Sequence, residues 1–351
     1  MFFIDPTFSE TVTGAYFPNR GGTGSPSAGP GRDGHGTVAV MTTKPQVSIQ
    51  LPTFMQDDPG SWQFLLDRAR AADVAGLDRV VVSDHVAYGE DLEAYGDPKK
   101  GGSRGGKQPT DPDGQWLEPL TVLTAIGAVT EHLRLGTNIL LAALRTPVVL
   151  AKTAATIDVL TGGRLDLGVG VGWQREEYVA AGLDFDARGR QLDHTIEVCQ
   201  LLWRERVATY DSAELHFENI HQMPKPRQDG GVPIWVSGTV NKRSARRLAT
   251  FGSGWIPWGA DAANLVETIP AMRAMVEAGG GDPSFGVVGN AVPVRDAEGA
   301  IDLAATFRGA APMVEAGVTD VRVGGVPVAD SYEDNLAIYQ GIVKAFRAAL
   351  H

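Results

Sequence analysis

The sequence predicts an α/β chain folded as a (β/α)8 TIM barrel with two insertions. Three observations lead there. Strand-like and helix-like runs alternate eight times between residues 47 and 350, and eight βα units close most simply into a barrel. The second strand, Arg79-Val-Val-Val-Ser83, is nearly all apolar, as expected where both faces are buried. The fourth stretch, GGRLDLGVGVGW from Gly162 to Trp173, alternates Leu165, Leu167, Val169 and Val171 with Asp166, Gly168, Gly170 and Gly172. That is strand periodicity running into a glycine-lined end. An open doubly wound sheet is the competing arrangement.

Taken in order, residues 47–51 alternate and stop at Pro52, giving a first strand. A helix over residues 60–75 carries Phe64, Leu65, Ala69 and Ala72 on one side, and Gly76 closes it. After the second strand the pattern fails from residue 88 to residue 115, where the chain is polar and glycine-rich. Loops of that length are uncommon and often functional, so this stretch reads as a flexible lid over the mouth, with plain disorder the alternative. A helix to about His132, a strand over residues 133–138 and a helix over residues 147–160 with Pro147 in its first turn lead into the fourth strand. A helix over residues 188–204 follows, then an irregular segment in which residues 215–220 suit one arm of a hairpin. Residues 233–237 give the fifth strand, followed by a helix bearing Lys242, Arg243, Arg246 and Arg247. Strands at 254–257, 284–293 and 319–323 alternate with helices at 261–278, 299–316 and 332–350.

Apolar residues make up 43% and charged residues 21%, the composition of an ordinary globular protein. The net charge of −11 disfavours nucleic acid as a partner, because phosphate binding needs a basic field. The one cysteine, Cys199, sits among helical core positions and fits a reducing, cytoplasmic compartment. No run approaches a membrane span. Residues 1–46 lack strand or helix patterning and are Gly/Pro/Ser-rich from 21 to 36, so they read as a disordered leader, with Met41 a candidate start. The barrel domain is then residues 47–351.

In a (β/α)8 barrel the chemistry lies where strands end. That rule selects Asp84 and His85 after strand two, Thr137 and Asn138 after strand three, Val171, Gly172 and Trp173 after strand four, and Ser237, Gly238 and Thr239 after strand five. The set has few charges, one imidazole, much glycine and some indole, which suits a planar ring with an anionic tail. Thr239 is read as opening a helix with free first-turn amides, and the nearby cations strengthen an anion site. A basic run is more often a solvated helix face, and a lone histidine more often structural. Gly168, Gly170 and Gly172 by themselves suit tight packing as well as ligand approach. They miss the dinucleotide fingerprint by one residue. Metal-ligand spacing is absent, and the GxSxG string from Gly101 to Gly105 lies in the polar stretch without the strand-to-helix turn that a serine nucleophile needs.

The stretches VVVSDHV (residues 80–86), HLRLGTNIL (132–140), the run from Arg145 to Tyr178, MPKPRQ (223–228) and PIWVSGT (233–239) together resemble the luciferase-like monooxygenase family, in particular its coenzyme F420-dependent branch. The resemblance implies a TIM barrel binding F420, or alternatively FMN, at its mouth. It implies that Asp84 and His85 lie near the deazaflavin, with the histidine as acid/base or ring-orienting group. It implies a cis peptide between Asn138 and Ile139 under the ring. It places cofactor phosphate and ring edge against Val171, Gly172, Trp173, Ser237, Gly238 and Thr239. Lys242 and Arg246 are added from their charge. The implied activity is hydride transfer between deazaflavin and a small organic substrate, in a homodimer. The alternatives are an FMN-dependent monooxygenase fed by a partner reductase, and a flavin-binding barrel without turnover.

Overall fold

The computed structural model describes residues 44–97 and 106–351. The expected leader, up to residue 43, and positions 98–105 of the expected lid lie outside the described residues. Eight parallel strands close into a barrel: β1 Gln46–Gln50, β2 Arg79–Val82, β3 Arg134–Thr137, β4 Leu165–Val169, β5 Ile234–Gly238, β6 Gly254–Pro257, β7 Gly286–Ala291 and β8 Asp320–Val323. Each pairs with its chain neighbours, and β1 closes the ring by pairing β8 and β2, with Ser48 opposite both Arg322 and Arg79. Helices α1 Gln63–Ala75, α2 Pro119–Ala128, α3 Pro147–Leu160, α4 Arg175–Ala180, α5 Arg188–Arg204, α6 Lys242–Phe251, α7 Leu265–Ala278, α8 Leu303–Glu315 and α9 Tyr332–Leu350 connect the strands. No described helix is long and apolar enough to cross a membrane.

The glycine of β4 has a packing cause. A Cβ on Gly168 would sit 2.0 Å from the Thr137 carbonyl oxygen, so only glycine lets β3 and β4 approach this closely. Leu140 N donates to Gly168 O at 2.6 Å across that contact. The barrel floor, by contrast, is charged. Arg79 bridges Asp166 and Asp320, Ser48 donates to Asp320, and the Trp235 ring lies 4.8 Å from the Arg79 guanidinium. Cys199 is buried in α5 as expected, and burial pushes its thiol pKa up.

Several expected boundaries move, for identifiable reasons. The helix expected to run to His132 stops at Ala128, because Asp73 of α1 accepts from the amides of Glu131, His132 and Leu133 and folds them into a turn. The helix expected from residue 261 begins at Leu265, since Asp261 is drawn off to accept from Val240 N at 2.6 Å. The described part of the lid is not structureless. It contains a 3-10 turn, Leu92–Gly96, and its far end, Gln115–Trp116, pairs antiparallel with Phe54–Met55. The expected hairpin arm forms as His216–Ile220, against Ala208–Asp211.

Candidate active site

The turn after β2 sends its two polar residues opposite ways, as successive residues of an extended chain must go. Asp84 turns into the wall. Its side chain is fully buried, accepts from Leu141 N at 2.8 Å, and takes both Arg145 terminal nitrogens at 2.6 and 3.1 Å. Arg145 also reaches Glu118 at 2.8 Å. Asp84 therefore fastens the loop after β3 and is not the partner of His85, contrary to the sequence expectation. The carboxylate beside His85 is Glu177 of α4, whose Oε2 lies 3.2 Å from His85 Nδ1.

Glu177 is itself held. Its side chain is 1% exposed, and Oε1 accepts from Val86 N at 2.7 Å. The His85–Glu177 approach is close but poorly aligned, so neither His85 Nδ1 nor Glu177 Oε2 completes a hydrogen bond. Rings wall the imidazole: Tyr88 at 4.4 Å, Trp116 at 4.9 Å and Trp173 at 6.0 Å between centroids. Tyr95 extends that wall toward Trp173 at 5.3 Å and Trp258 at 6.2 Å. Burial, with the Glu177 charge adding to it, pushes the Tyr88 phenol pKa up, so this hydroxyl stays a neutral donor. The lid thus contributes two tyrosines that its polar, patternless sequence did not reveal.

After β3, Thr137 is 2% exposed and its hydroxyl donates to Gly168 O at 2.8 Å. That hydroxyl serves strand packing. Asn138 donates from Nδ2 to Gln50 Oε1 at 3.2 Å, and the Asn138–Ile139 peptide is cis, as the resemblance implied. The glycines after β4 close on this same segment. A Cβ on Gly170 would meet Ile139 Cδ1 at 2.6 Å, and one on Gly172, at φ 67°, would meet Leu141 Cδ2 at 2.7 Å. Tyr178 donates its hydroxyl to Val171 O at 2.7 Å and fixes that turn. Trp173 is 7% exposed, and its indole N–H has no hydrogen-bond partner among the described residues.

The segment after β5 corrects the helix-opening expectation. The cap is Asn241, two residues past Thr239, and its Oδ1 accepts from Arg243 N at 2.9 Å and Ser244 N at 3.0 Å. The first-turn amides counted on for an anion are thus partly occupied. Arg246 is salt-bridged to Asp193 at 2.6 Å, and Arg247 reaches the same carboxylate. Lys242 forms no ion pair among the described residues. It lines an open cleft of about 1210 Å³ that starts at Val171, Ser237, Gly238, Thr239 and Trp258. The structure thus gathers His85, Val171, Trp173, Ser237, Gly238, Thr239 and Lys242 at one end of the barrel. It turns Asp84, Thr137 and Arg246 to other partners.

Comparison with known proteins agrees with this architecture. The luciferase-like monooxygenase family profile matches residues 41–340. The chain belongs to that family. An uncharacterised protein of Mycobacterium tuberculosis is 29% identical over 273 residues, covering 74% of this chain and 84% of its own. The F420-dependent glucose-6-phosphate dehydrogenase of Mycolicibacterium fortuitum is 30% identical over 227 residues, or 62% of this chain and 60% of that one. An F420-dependent secondary alcohol dehydrogenase, solved with an F420-acetone adduct, superposes with a TM-score of 0.65 at 17% identity, over 87% of this chain and 100% of that one. At that identity the likeness is one of fold. The luciferase-like chain is accordingly an α/β barrel of an oxidoreductase family.

Proposed function

We propose that this luciferase-like protein is an F420-dependent oxidoreductase in which His85, oriented by Glu177, exchanges the proton that accompanies hydride transfer to or from a small organic substrate. The observation that carries the reading is the buried imidazole–carboxylate pair at the barrel mouth, enclosed by Tyr88, Trp116 and Trp173. The mouth also fits a heteroaromatic ring. Trp173 Nε1 is a buried donor without a hydrogen-bond partner among the described residues, and such a group is costly unless a ligand satisfies it.

The deazaflavin would supply the hydride chemistry when bound. The chain's own residues do the rest. Val86 N holds Glu177 Oε1, so its other oxygen is set toward Nδ1. With Nδ1 on that side, Nε2 is the nitrogen left to give or take a proton. A carboxylate on one face of an imidazole fixes ring orientation and stabilises the charge that proton uptake creates. The surrounding rings exclude water from the pair. Val171, Gly172, Ser237, Gly238 and Thr239 would line the cofactor's edge, and Lys242 would face its phosphate.

The deciding experiment is titration of the apo protein with F420, reduced F420 and FMN, followed by cofactor fluorescence or calorimetry. F420 should bind more tightly than FMN. Tight FMN binding with no F420 binding would replace this reading with that of an FMN-dependent monooxygenase. His85→Asn should then slow single-turnover oxidation of reduced F420 by a panel of carbonyl and quinone acceptors about 10²–10⁴-fold. Cofactor affinity should stay within a few-fold of wild type. Equal loss of binding and turnover would instead make His85 a ring-positioning residue.

A further inference from the structure

Below the mouth, the strands of the barrel carry three arginines against two carboxylates. Every carboxylate oxygen is already spent. Asp320 accepts from the Ser48 hydroxyl on one oxygen and from Arg79 on the other. Asp166 is bound by Arg134 through both oxygens, at 2.6 and 2.8 Å, and by Arg79 at 3.0 Å. Arg322 of β8 is left over. It is 6% exposed, makes no hydrogen bond or ion pair among the described residues, and has its Nε buried without an acceptor. Burial lowers its pKa; the Asp320 charge opposes that, and the Arg79 charge adds to it. A guanidinium keeps its proton inside a protein, so Arg322 cannot escape by becoming neutral. A buried charge without a partner is far more costly than an unmet neutral donor.

Arg322 lines a cavity of about 10 Å³ inside the barrel. This cavity shares no wall residue with the open cleft at the mouth. Its size suits about one solvent-sized particle and excludes phosphate, a carboxylate or any organic ligand. Val81, Ile256 and Val288 make part of its wall apolar. Trp235, on the same wall, also has a buried indole N–H without an acceptor, although its ring face is covered by Arg79. Two unanswered donors, one of them charged, thus border one small space. A water molecule there could accept from them but would bring no charge, and the third guanidinium would stay uncompensated in a low-dielectric interior. A monatomic anion supplies both the acceptor and the charge.

We propose that the barrel encloses a small-anion site, in which one chloride-sized ion occupies this cavity against the Arg322 guanidinium. The site is independent of the F420 reading and of any ligand at the mouth. It makes the stability of the folded barrel depend on halide concentration.

Crystals of the full chain grown in sodium bromide, with diffraction recorded at the bromine absorption edge, test the site directly. An anomalous peak is expected in the cavity beside Arg322. An ordered water there without anomalous signal, or bromide only as an adventitious ion on the surface, would overturn the proposal. In solution, an ion that binds only the folded chain raises Tm as its concentration rises. Replacing gluconate with chloride at constant ionic strength should raise Tm progressively, by about 5 °C at a hundredfold excess over the dissociation constant. A Tm that follows ionic strength but is the same in either anion would count against the site. Arg322→Met removes the unpaired cation and should lose the chloride-dependent rise; a variant that keeps it in full would place the ion elsewhere. Should that variant fail to fold, the bromide map of the wild-type protein still decides.

Discussion

Replacing Asp84 distinguishes a wall fastener from a catalytic acid. Its carboxylate is fully buried and answers three donors: Leu141 N at 2.8 Å and the two Arg145 terminal nitrogens at 2.6 and 3.1 Å. Asp84→Ala would leave Arg145, whose side chain is 16% exposed, with the Leu141 carbonyl and with Glu118, itself 45% exposed, as its one carboxylate partner among the described residues. Breaking a buried pair by removing one partner costs about 3–5 kcal/mol. The orphaned Leu141 amide would by itself cost ~1–3 kcal/mol, but it belongs to the same network, so the two figures do not simply add. We expect a total of about 4 kcal/mol, which for a domain of this size lowers Tm by roughly 8–15 °C. Asp84→Asn keeps one acceptor and should lose about half as much. Asp84→Leu with Arg145→Met removes both charges and should recover most of the loss, since buried pairs are often replaceable by apolar residues. Thermal unfolding by circular dichroism reads all four proteins, with F420 affinity measured alongside. An Asp84→Ala protein that melts like wild type but has lost turnover would refute the argument. It would put Asp84 back on the ligand.

Three other substitutions follow from the packing and charge of the same walls. Gly168→Ala places a Cβ 2.0 Å from Thr137 O, a backbone atom that cannot yield without parting β3 from β4, so chemical unfolding should show a loss of about 3 kcal/mol or more. Gly170→Ala meets only the mobile end of Ile139 at 2.6 Å and should cost less stability while weakening cofactor binding. Burial pushes the Glu118 carboxyl up, but the Thr121 amide and Arg145 outweigh it and leave its pKa below the ordinary carboxylate value. The stability it adds is thus present above that ordinary value and lost as pH falls through the lowered folded one. Glu118→Gln should therefore lower Tm at neutral pH and converge with wild type in acid; a constant difference across pH would count against this pair.

The barrel was legible because it rests on short apolar runs punctuated by glycine and proline, and every expected strand formed within a few residues of its place. Cis Asn138–Ile139 followed from resemblance alone. The chemistry of the mouth was less legible, and the reasons are geometric. Asp84 and His85 are adjacent in sequence, yet an extended chain points neighbours apart. The true neighbour of His85, Glu177, arrives from α4, and only its place just past the glycine-rich end of β4 hinted at it. The cap of α6 is readable in SGTVNKRS, where asparagine, a strong cap, directly precedes the basic helix and so marks Asn241 ahead of Thr239. Tyr88 and Tyr95 carried no periodic signal, because a lid need not repeat.

Tyr88 and Trp116 stand at the two ends of the insertion, and both rings rest on His85. Trp116 is anchored a second time, stacked on Phe54 at 4.4 Å. The insertion therefore departs from and returns to fixed posts. The residues between those posts can be rewritten, lengthened or shortened by descent or by engineering while the imidazole keeps its seat. On the proposed role of His85, exchanging this one cassette would change the substrate and leave the proton step in place.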